Sequence, residues 1–214
     1  MKRVTSKPII ARNNSVAAMI LWSFVSVLLV LPSSPMRAGA PMNQVRNTTD
    51  KVLDVLTQPE LKGAEKAEER HSKVRKIVDN RFDWTAMCKR ALGRHWRGKS
   101  EKQRTEFIEL FGALLEKRYM AKIDNYSGQE VMYQDEQVDD EYAEVDVDII
   151  TKDGKEIDVR YRMHKTGRQK NEWMVYDIVI EGVSLVNNYR SQFNSILNRS
   201  SFDELLEKLR EKQE

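Results

Sequence analysis

The stretch WMVYDIVIEGVSLVNNYRSQF, residues 173–193, decides the fold because it joins a buried strand to the helix that follows it. Residues 173–180 are apolar apart from Asp177, which favours a central strand covered on both faces. Glu181 and Gly182 interrupt this run. Apolar residues then return at helical spacing, with polar residues between them: Val183, Leu185, Val186, Tyr189, Phe193, Ile196 and Leu197. The stretch predicts a strand that turns directly into a helix and shares one hydrophobic layer with it.

Two earlier segments alternate apolar and polar residues as half-buried strands do. One covers residues 144–149 and the other residues 157–164, with Asp153 and Gly154 between them. A two-residue turn would place the two apolar rows on opposite faces, so we expect a three-residue loop with a bulge. In that register, Arg160 and Arg162 face the acidic row of the first strand. A further strand is predicted near residues 130–134.

Helical patterns dominate the first half of the chain. Helices are predicted over residues 44–56 and 62–78, followed by a short helix that Asp83 caps and Gly93 closes. The longest helix begins at Ser100 with a capping box to Gln103, and its apolar stripe is Phe107, Leu110, Phe111, Leu114, Leu115, Tyr119, Ile123 and Tyr126. A last helix starts with a capping box at Ser201. We expect the long helix to pack directly on the predicted hairpin.

These elements predict an α+β fold, with a curved antiparallel sheet of at least four strands packed against several helices on one side. The arrangement resembles a cystatin-like or NTF2-like cone. The chain shows no internal repeat and no long linker, so residues 41–214 are predicted to form a single domain. Cys88 is the only cysteine, which excludes an intramolecular disulfide.

The N-terminus has the pattern of a secretory signal peptide. Lys2, Arg3, Lys7 and Arg12 precede a 16-residue uncharged run over residues 16–31. As a helix this run is about 24 Å long, shorter than a bilayer core of about 30 Å. The small residues 38–40 predict cleavage after Ala40, although Pro41 disfavours it, and an uncleaved N-terminal anchor is the alternative. We therefore expect residues 1–40 to be a signal peptide that directs export.

One basic segment stands out once the signal is set aside, because residues 41–214 carry 31 Lys+Arg and 33 Asp+Glu. Between Arg81 and Arg104 there are eight basic residues and two acids, with Trp84, His95 and Trp96 among them. Such a patch can bind nucleic acid, but export favours contact with anionic lipid head groups or an acidic partner. Arg94 and Arg97 are the predicted contact residues. A merely solvated face is the alternative.

The sequence gives little support for a catalytic or metal-binding motif. His71, His95 and His164 are scattered without metal-ligand spacing, and there is no phosphate loop or nucleophile elbow. Asp177 is the exception. Burial raises the pKa of a carboxyl group, so Asp177 could serve as the general base of an enzyme on an NTF2-like fold.

The chain resembles the MlaC family of periplasmic phospholipid carriers, also known as toluene-tolerance or organic-solvent-resistance auxiliary proteins. The resemblance covers residues 43–209 and rests on Phe82-Asp83, Leu92-Gly93, Trp96, Gln103, Phe107, Phe111, Leu114-Leu115, Tyr119 and the core of residues 173–193. It implies a non-enzymatic carrier in the periplasm that binds glycerophospholipid in an internal apolar pocket, with the lipid as cargo and no cofactor or metal.

The resemblance also implies partners and a task. The partners are an inner-membrane ABC transporter with its substrate-binding subunit and an outer-membrane lipoprotein with a porin, and the task is maintenance of outer-membrane lipid asymmetry. We expect a monomer that binds no nucleic acid. A lipid-free periplasmic adaptor that bridges membrane complexes is a further alternative.

The pocket that the resemblance implies would be lined by apolar residues, with tyrosine hydroxyls at its rim and an arginine able to meet a phosphate. Each of these residues is explained equally well as ordinary core without the resemblance. They are Phe107, Phe111, Leu114, Leu115 and Tyr119 from the long helix, Val147, Ile149, Val159, Tyr161, Trp173 and Val175 from the sheet, and Val183, Leu185, Tyr189 and Arg190 from the segment after the last strand.

Overall fold

The sheet has five antiparallel strands that lie side by side in sequence order. The computed structural model describes residues 40–167 and 172–213, apart from the side chains of residues 121 and 122. The strands are β1 (Glu130–Asp139), β2 (Tyr142–Ile150), β3 (Glu156–Lys165), β4 (Trp173–Ile180) and β5 (Val183–Ser184). The predicted α+β class and antiparallel sheet are thus confirmed. Except for Ala40, the predicted signal peptide lies outside the described residues.

The β2–β3 hairpin has the predicted register. A three-residue loop, residues 152–154, separates Thr151 from Lys155, whose carbonyl accepts a hydrogen bond from the Thr151 N–H at 2.9 Å. Gly154 has a φ of +79° in this loop, a conformation that glycine adopts without steric cost. The two apolar rows therefore share one face of the sheet, with the pairs Val145–Tyr161, Val147–Val159 and Ile149–Ile157.

The opposite face of the hairpin carries the predicted rows of opposite charge. The Arg160 guanidinium donates to Asp146 at 2.5 Å, and Arg162 donates to Glu144 at 2.9 Å. Cross-strand pairs of this kind add about 0.2–1 kcal/mol each. The charges therefore support the same register as the apolar rows.

Six helices surround the sheet in the part of the chain that the structure describes. Asp83 caps one of them by accepting the Ala86 N–H at 2.8 Å, and Ser100 and Gln103 form the predicted reciprocal capping box. The helices are α1 (Ala40–Thr57), α2 (Ala67–Asp79), α3 (Trp84–Leu92), α4 (Glu101–Asp124), α5 (Leu185–Leu197) and α6 (Phe202–Glu211).

Strand β4 is hydrogen-bonded on both edges. Strand β3 pairs with one edge along its length. On the other edge, the Asp83 N–H donates to the Val175 carbonyl at 2.9 Å, the Val175 N–H donates to the Arg81 carbonyl at 2.8 Å, and β5 pairs with the end of the strand. The prediction of a central strand is confirmed.

Helices cover both faces of β4, so the expectation that they lie on one side is wrong. Helix α1 places Met42 and Val45 against the apolar face of the sheet. On the other face His164 contacts Asp83 at 3.0 Å, at the start of α3, and Asp177 accepts the Val186 N–H at 3.0 Å, in the first turn of α5. Successive strand residues point to opposite faces, which lets one strand anchor helices on both.

Helix α1, rather than α4, packs on the apolar face of the hairpin, which corrects the prediction that the long helix faces the sheet. The C-terminal half of α1 contributes Val52, Val55 and Leu56 to a separate cluster with α2 and the end of α4. The N-terminal half of α1 therefore packs on the sheet, and its C-terminal half packs on other helices.

The structure does not place Val183 in the apolar interior, where the sequence predicted it. It precedes α5, sits in the two-residue strand β5, and is 56% exposed. The helix begins two residues later because the Ser184 hydroxyl caps it by accepting the Asn187 N–H at 3.1 Å. Val183 therefore does not line an apolar interior.

Two Val→Ala substitutions test this arrangement. Val45→Ala, at a site 2% exposed between α1 and the sheet, should lower the free energy of unfolding by roughly 2 kcal/mol, because a buried cavity remains. Val183→Ala removes the same atoms from the surface and should change it by less than about 0.5 kcal/mol. Urea unfolding followed by circular dichroism measures both values. Equal losses for the two variants would contradict the placement of α1.

Candidate functional site

The helical half of the chain has an aromatic core in which α4 and α5 face each other. Phe107 and Phe111 are one helical turn apart on α4, and their rings contact the Phe193 ring at centroid distances of 5.4 and 5.3 Å. Tyr189 packs edge-on against Phe111 at 5.0 Å. Phe202, at the start of α6, closes the cluster at 6.0 Å from Phe107. The i, i+4 spacing on both helices produces this stack.

The predicted pocket residues fall into two separate groups. Those of the helices lie in the aromatic core: Phe107, Phe111, Leu114, Leu115, Tyr119, Leu185 and Tyr189. Those of the sheet lie in the cluster that α1 covers: Val147, Tyr161, Trp173 and Val175. Val159 is buried and Ile149 is half-buried. The structure thus places the two groups in separate apolar clusters.

Burial in each group raises the pKa of a tyrosine that belongs to it. Burial raises the pKa of the Tyr161 phenol to about 12. Burial also raises the pKa of Tyr189, although a hydrogen bond from Arg118 acts in the opposite direction. An apolar environment disfavours the phenolate in each case.

A first cleft of about 400 Å³ opens beside the second half of α4. Its charges are mixed and largely paired. Asp124 contacts His71 at 2.8 Å and Arg70 at 2.6 Å, while Glu116 pairs with Arg75. The residues that line it are His71, Ala113, Glu116, Lys117, Met120, Asp124 and Gln213.

A second cleft of about 260 Å³ lies between α4, α5 and the end of α6. Its floor is apolar because Leu114 and Tyr189 belong to the aromatic core. Its walls carry three cations and no carboxylate, since the lining residues are Leu114, Lys117, Arg118, Tyr189, Gln192 and Lys212. We call this the basic cleft.

The basic cleft contains one residue that the sequence predicted at a pocket rim and three cations that it did not predict. Tyr189 was predicted at a pocket rim, and it lies in this cleft. Arg190, the predicted phosphate contact, points elsewhere: it lies over Gly93, where an added Cβ atom would be 3.0 Å from the arginine Nε. The three cations of the cleft were missed. They come from two helices far apart in sequence, and the only signal was the position of Arg118 next to Tyr119.

The predicted contact residues Arg94 and Arg97 lie after the end of α3. Arg94 donates to the Asn198 side chain at 2.9 Å, and neighbouring His95 contacts Asn194 at 3.2 Å. Arg97 is exposed. Other cations of the basic segment stabilise the fold: Arg90 stacks over the Tyr176 ring at 4.1 Å, and Arg104 lies over the Trp96 ring at 5.1 Å.

Asp177 has both carboxylate oxygens occupied by donors. One oxygen accepts the Val186 N–H at 3.0 Å, and the other accepts the Ser184 hydroxyl at 2.6 Å and lies 3.4 Å from the Arg162 guanidinium. The residue is 3% exposed. This geometry fixes the first turn of α5 to β4, because a carboxylate is favoured at a helix N-terminus.

Two further features concern membranes and metals. No helix among the described residues has the length and apolarity needed to cross a bilayer. The same residues contain no group of three or more His, Cys, Asp and Glu side chains placed to hold a metal ion.

Fold and site together define an α+β protein with helices on both faces of one antiparallel sheet, and with a cation-lined cleft over an aromatic helical core. The sequence profile of the MlaC protein family matches residues 46–211. The chain belongs to the MlaC family.

Two known proteins are similar to this chain. The intermembrane phospholipid transport system binding protein MlaC of Haemophilus influenzae is 31% identical over 124 residues, which is 57% of this chain and 58% of that protein. The chain thus matches less than two thirds of the length of that relative. A phospholipid-binding protein of Ralstonia solanacearum, solved in complex with a phospholipid, is 27% identical with a TM-score of 0.70 and covers 82% of this chain and 97% of its own.

Replacement of Asp177 by Asn tests its structural role. Asn has the same shape but no charge, so Arg162 loses an ionic partner and the first turn of α5 loses its anchoring carboxylate. We expect the free energy of unfolding to fall by roughly 2 kcal/mol. Urea unfolding measures the loss. Asp54→Asn, at an exposed position in α1, is the matched control and should change stability by less than about 0.5 kcal/mol.

Proposed function

We propose that this protein is a periplasmic carrier that binds a glycerophospholipid and shuttles it between the inner and outer membranes. The observation that carries the proposal is the likeness to a phospholipid-bound structure that spans 82% of this chain. Membership of the MlaC family and the relative named for intermembrane phospholipid transport support the same function. Lipid is the cargo, and we propose neither a cofactor nor a catalytic step.

The helical core is the proposed place for the acyl chains. A buried methylene contributes about 0.8 kcal/mol, so two acyl chains are retained by apolar contact without any charged partner. We restrict the proposed chain contacts to Phe107, Phe111, Leu114, Leu115, Tyr119, Leu185 and Tyr189, because the sheet residues lie in a separate cluster.

Lipid entry requires the helices to separate. The two clefts measure about 400 and 260 Å³, so one lies near the lower end of the roughly 300–1,000 Å³ that ligand pockets occupy and the other lies below that range. A two-chain lipid therefore needs a more open arrangement of α4, α5 and α6 than the one seen here. Since a closed carrier must give up packing in order to open, exchange without a partner should be slow.

Membrane complexes are the proposed donor and acceptor of the lipid. We propose an inner-membrane ABC transporter with its substrate-binding subunit on one side and an outer-membrane lipoprotein with a porin on the other, served by a monomeric carrier that maintains lipid asymmetry. Residues 1–40 would direct export as a signal peptide, and residues 41–214 would form the carrier domain. Arg94 and Arg97, on the surface after α3, are the proposed contacts with anionic head groups or an acidic partner.

The enzyme alternative is weakened by the geometry of Asp177. A general base needs a free oxygen within reach of a substrate proton, whereas both Asp177 oxygens accept hydrogen bonds from the protein. The adaptor alternative differs from the carrier because an adaptor binds no lipid. Bound lipid is therefore the discriminating observation.

Native mass spectrometry of the protein purified from a bacterial envelope tests the proposal. We expect a one-to-one phospholipid adduct, identified after solvent extraction. The Asp177→Asn variant should keep this adduct if it remains folded, because the carboxylate has no part in lipid binding. A lipid-free mass that persists after incubation with phospholipid vesicles would favour the adaptor and overturn the carrier.

A charge-reversal variant tests the proposed contact surface. Arg94→Glu with Arg97→Glu should slow the transfer of a labelled phospholipid from anionic vesicles by about thirtyfold or more, since each of the two basic residues near such a surface contributes about 1 kcal/mol. Lys76→Glu with Lys152→Glu, at exposed positions on α2 and in the β2–β3 loop, gives the same change in net charge elsewhere. Equal rates for wild type and the Arg94/Arg97 variant would remove this surface from the mechanism.

A further inference from the structure

The basic cleft concentrates positive charge in a small space. Lys117 and Arg118 lie on α4, and Lys212 caps the end of α6. No aspartate or glutamate lines the cleft, in contrast to the neighbouring cleft, where Glu116 and Asp124 are present. Like charges that converge without an acid raise the electrostatic potential at that point and attract an anion.

Two of the three cations interact with neighbouring groups. The Lys117 ammonium donates to the Gln213 carbonyl at 2.9 Å, which ties α4 to the C-terminal end of α6. The positive charge of Arg118 acts on the Tyr189 phenol of α5 and lowers its pKa against the effect of burial. Lys117, Arg118 and Lys212 therefore line one cleft although they come from different helices.

The floor of the cleft has the opposite character. Leu114 and Tyr189 are both buried and both belong to the aromatic core. Gln192, on the wall, offers an amide that can donate or accept a hydrogen bond. A ligand that fits the whole cleft therefore has an anionic group with several acceptor oxygens next to an apolar segment.

We infer that the basic cleft binds a phosphate group, and that this phosphate is the diester of the carried phospholipid, held by Lys117, Arg118 and Lys212 while the acyl chains enter past Leu114 and Tyr189. The inference rests on the proposed carrier function and adds to it a head-group site. Arginine and lysine both bind phosphate through charge-assisted hydrogen bonds, and arginine does so in a bidentate manner. The volume of about 260 Å³ accommodates a phosphate with the glycerol next to it.

Calorimetric titration of the lipid-stripped protein with four short ligands tests the inference. The ligands are dihexanoyl phosphatidylglycerol, uncharged dihexanoylglycerol, glycerol 3-phosphate and inorganic phosphate. The variant is Arg118→Gln with Lys212→Gln, and the control is Lys76→Gln with Lys152→Gln, which removes the same charge from exposed sites on α2 and the β2–β3 loop. Thermal unfolding verifies that both variants are folded, and Arg118→Lys should restore much of the binding.

The expected result is a rise in Kd for dihexanoyl phosphatidylglycerol of about tenfold or more in the cleft variant, with less than about a twofold change for dihexanoylglycerol and for the control protein. Binding to wild type should weaken with added salt, because the contacts are ionic. Equal affinity of wild type for the phospholipid and for inorganic phosphate, both lost in the variant, would support a phosphate site and assign it to free phosphate.

Two other outcomes distinguish the head-group site from the carrier function. An unchanged Kd for phosphatidylglycerol in the cleft variant, with lipid still bound, would overturn the head-group site and leave the carrier intact. Failure of wild type to bind either dihexanoyl compound, although the same preparation is folded, would overturn the carrier function on which the inference rests.

Discussion

The constraint on which the structure depends is the double pairing of strand β4. One edge is hydrogen-bonded to β3, and the other is hydrogen-bonded to the Phe82 segment and then to β5. The segments that lead directly into α3 and α5 are thereby fixed to the same strand. Because a buried backbone amide without a partner costs free energy, neither helix can shift without breaking these bonds.

Asp177 extends this constraint from backbone to side chains. It is a buried charge in an apolar strand, and such a charge is tolerated only when it is paired and hydrogen-bonded. Arg162, Ser184 and the Val186 amide supply those partners. A residue that resembles a catalytic base in the sequence thus joins β3, β4 and α5 in the structure.

The apolar interior has two main layers. One layer lies between α1 and the sheet, and the other is the aromatic core of α3, α4, α5 and α6. Under the proposed carrier function, the helical layer would open while the sheet keeps its packing. The basic cleft lies at the surface of that helical layer, where Leu114 and Tyr189 reach the solvent-facing cations.

The segment from Arg81 to Arg104 and the basic cleft differ in how their positive charges are arranged. The segment from Arg81 to Arg104 is rich in cations, yet Arg81 donates to Gln44 and the Trp173 carbonyl, and Arg90 and Arg104 stack on aromatic rings. Cation–π contacts contribute roughly 0.5–2 kcal/mol each, so these residues stabilise the fold. The basic cleft has fewer cations, but all of them line one small space without a carboxylate.

The sequence by itself determined the local elements. Strand β4, the β2–β3 register and the caps at Asp83, Ser100 and Ser201 could all be predicted, because periodicity, turn length and capping depend on residues close together in the chain. The helical members of the candidate site could be predicted for the same reason, since Phe107, Phe111 and Leu114 share a stripe on one helix. Only the tertiary structure decided that α1 covers the sheet, that Val183 is exposed, and that Arg190 lies over Gly93. It also decided that Lys117 and Arg118 line one cleft with Lys212. These outcomes depend on how separate elements pack, and the free energy of such packing comes from contacts between residues that no local pattern connects.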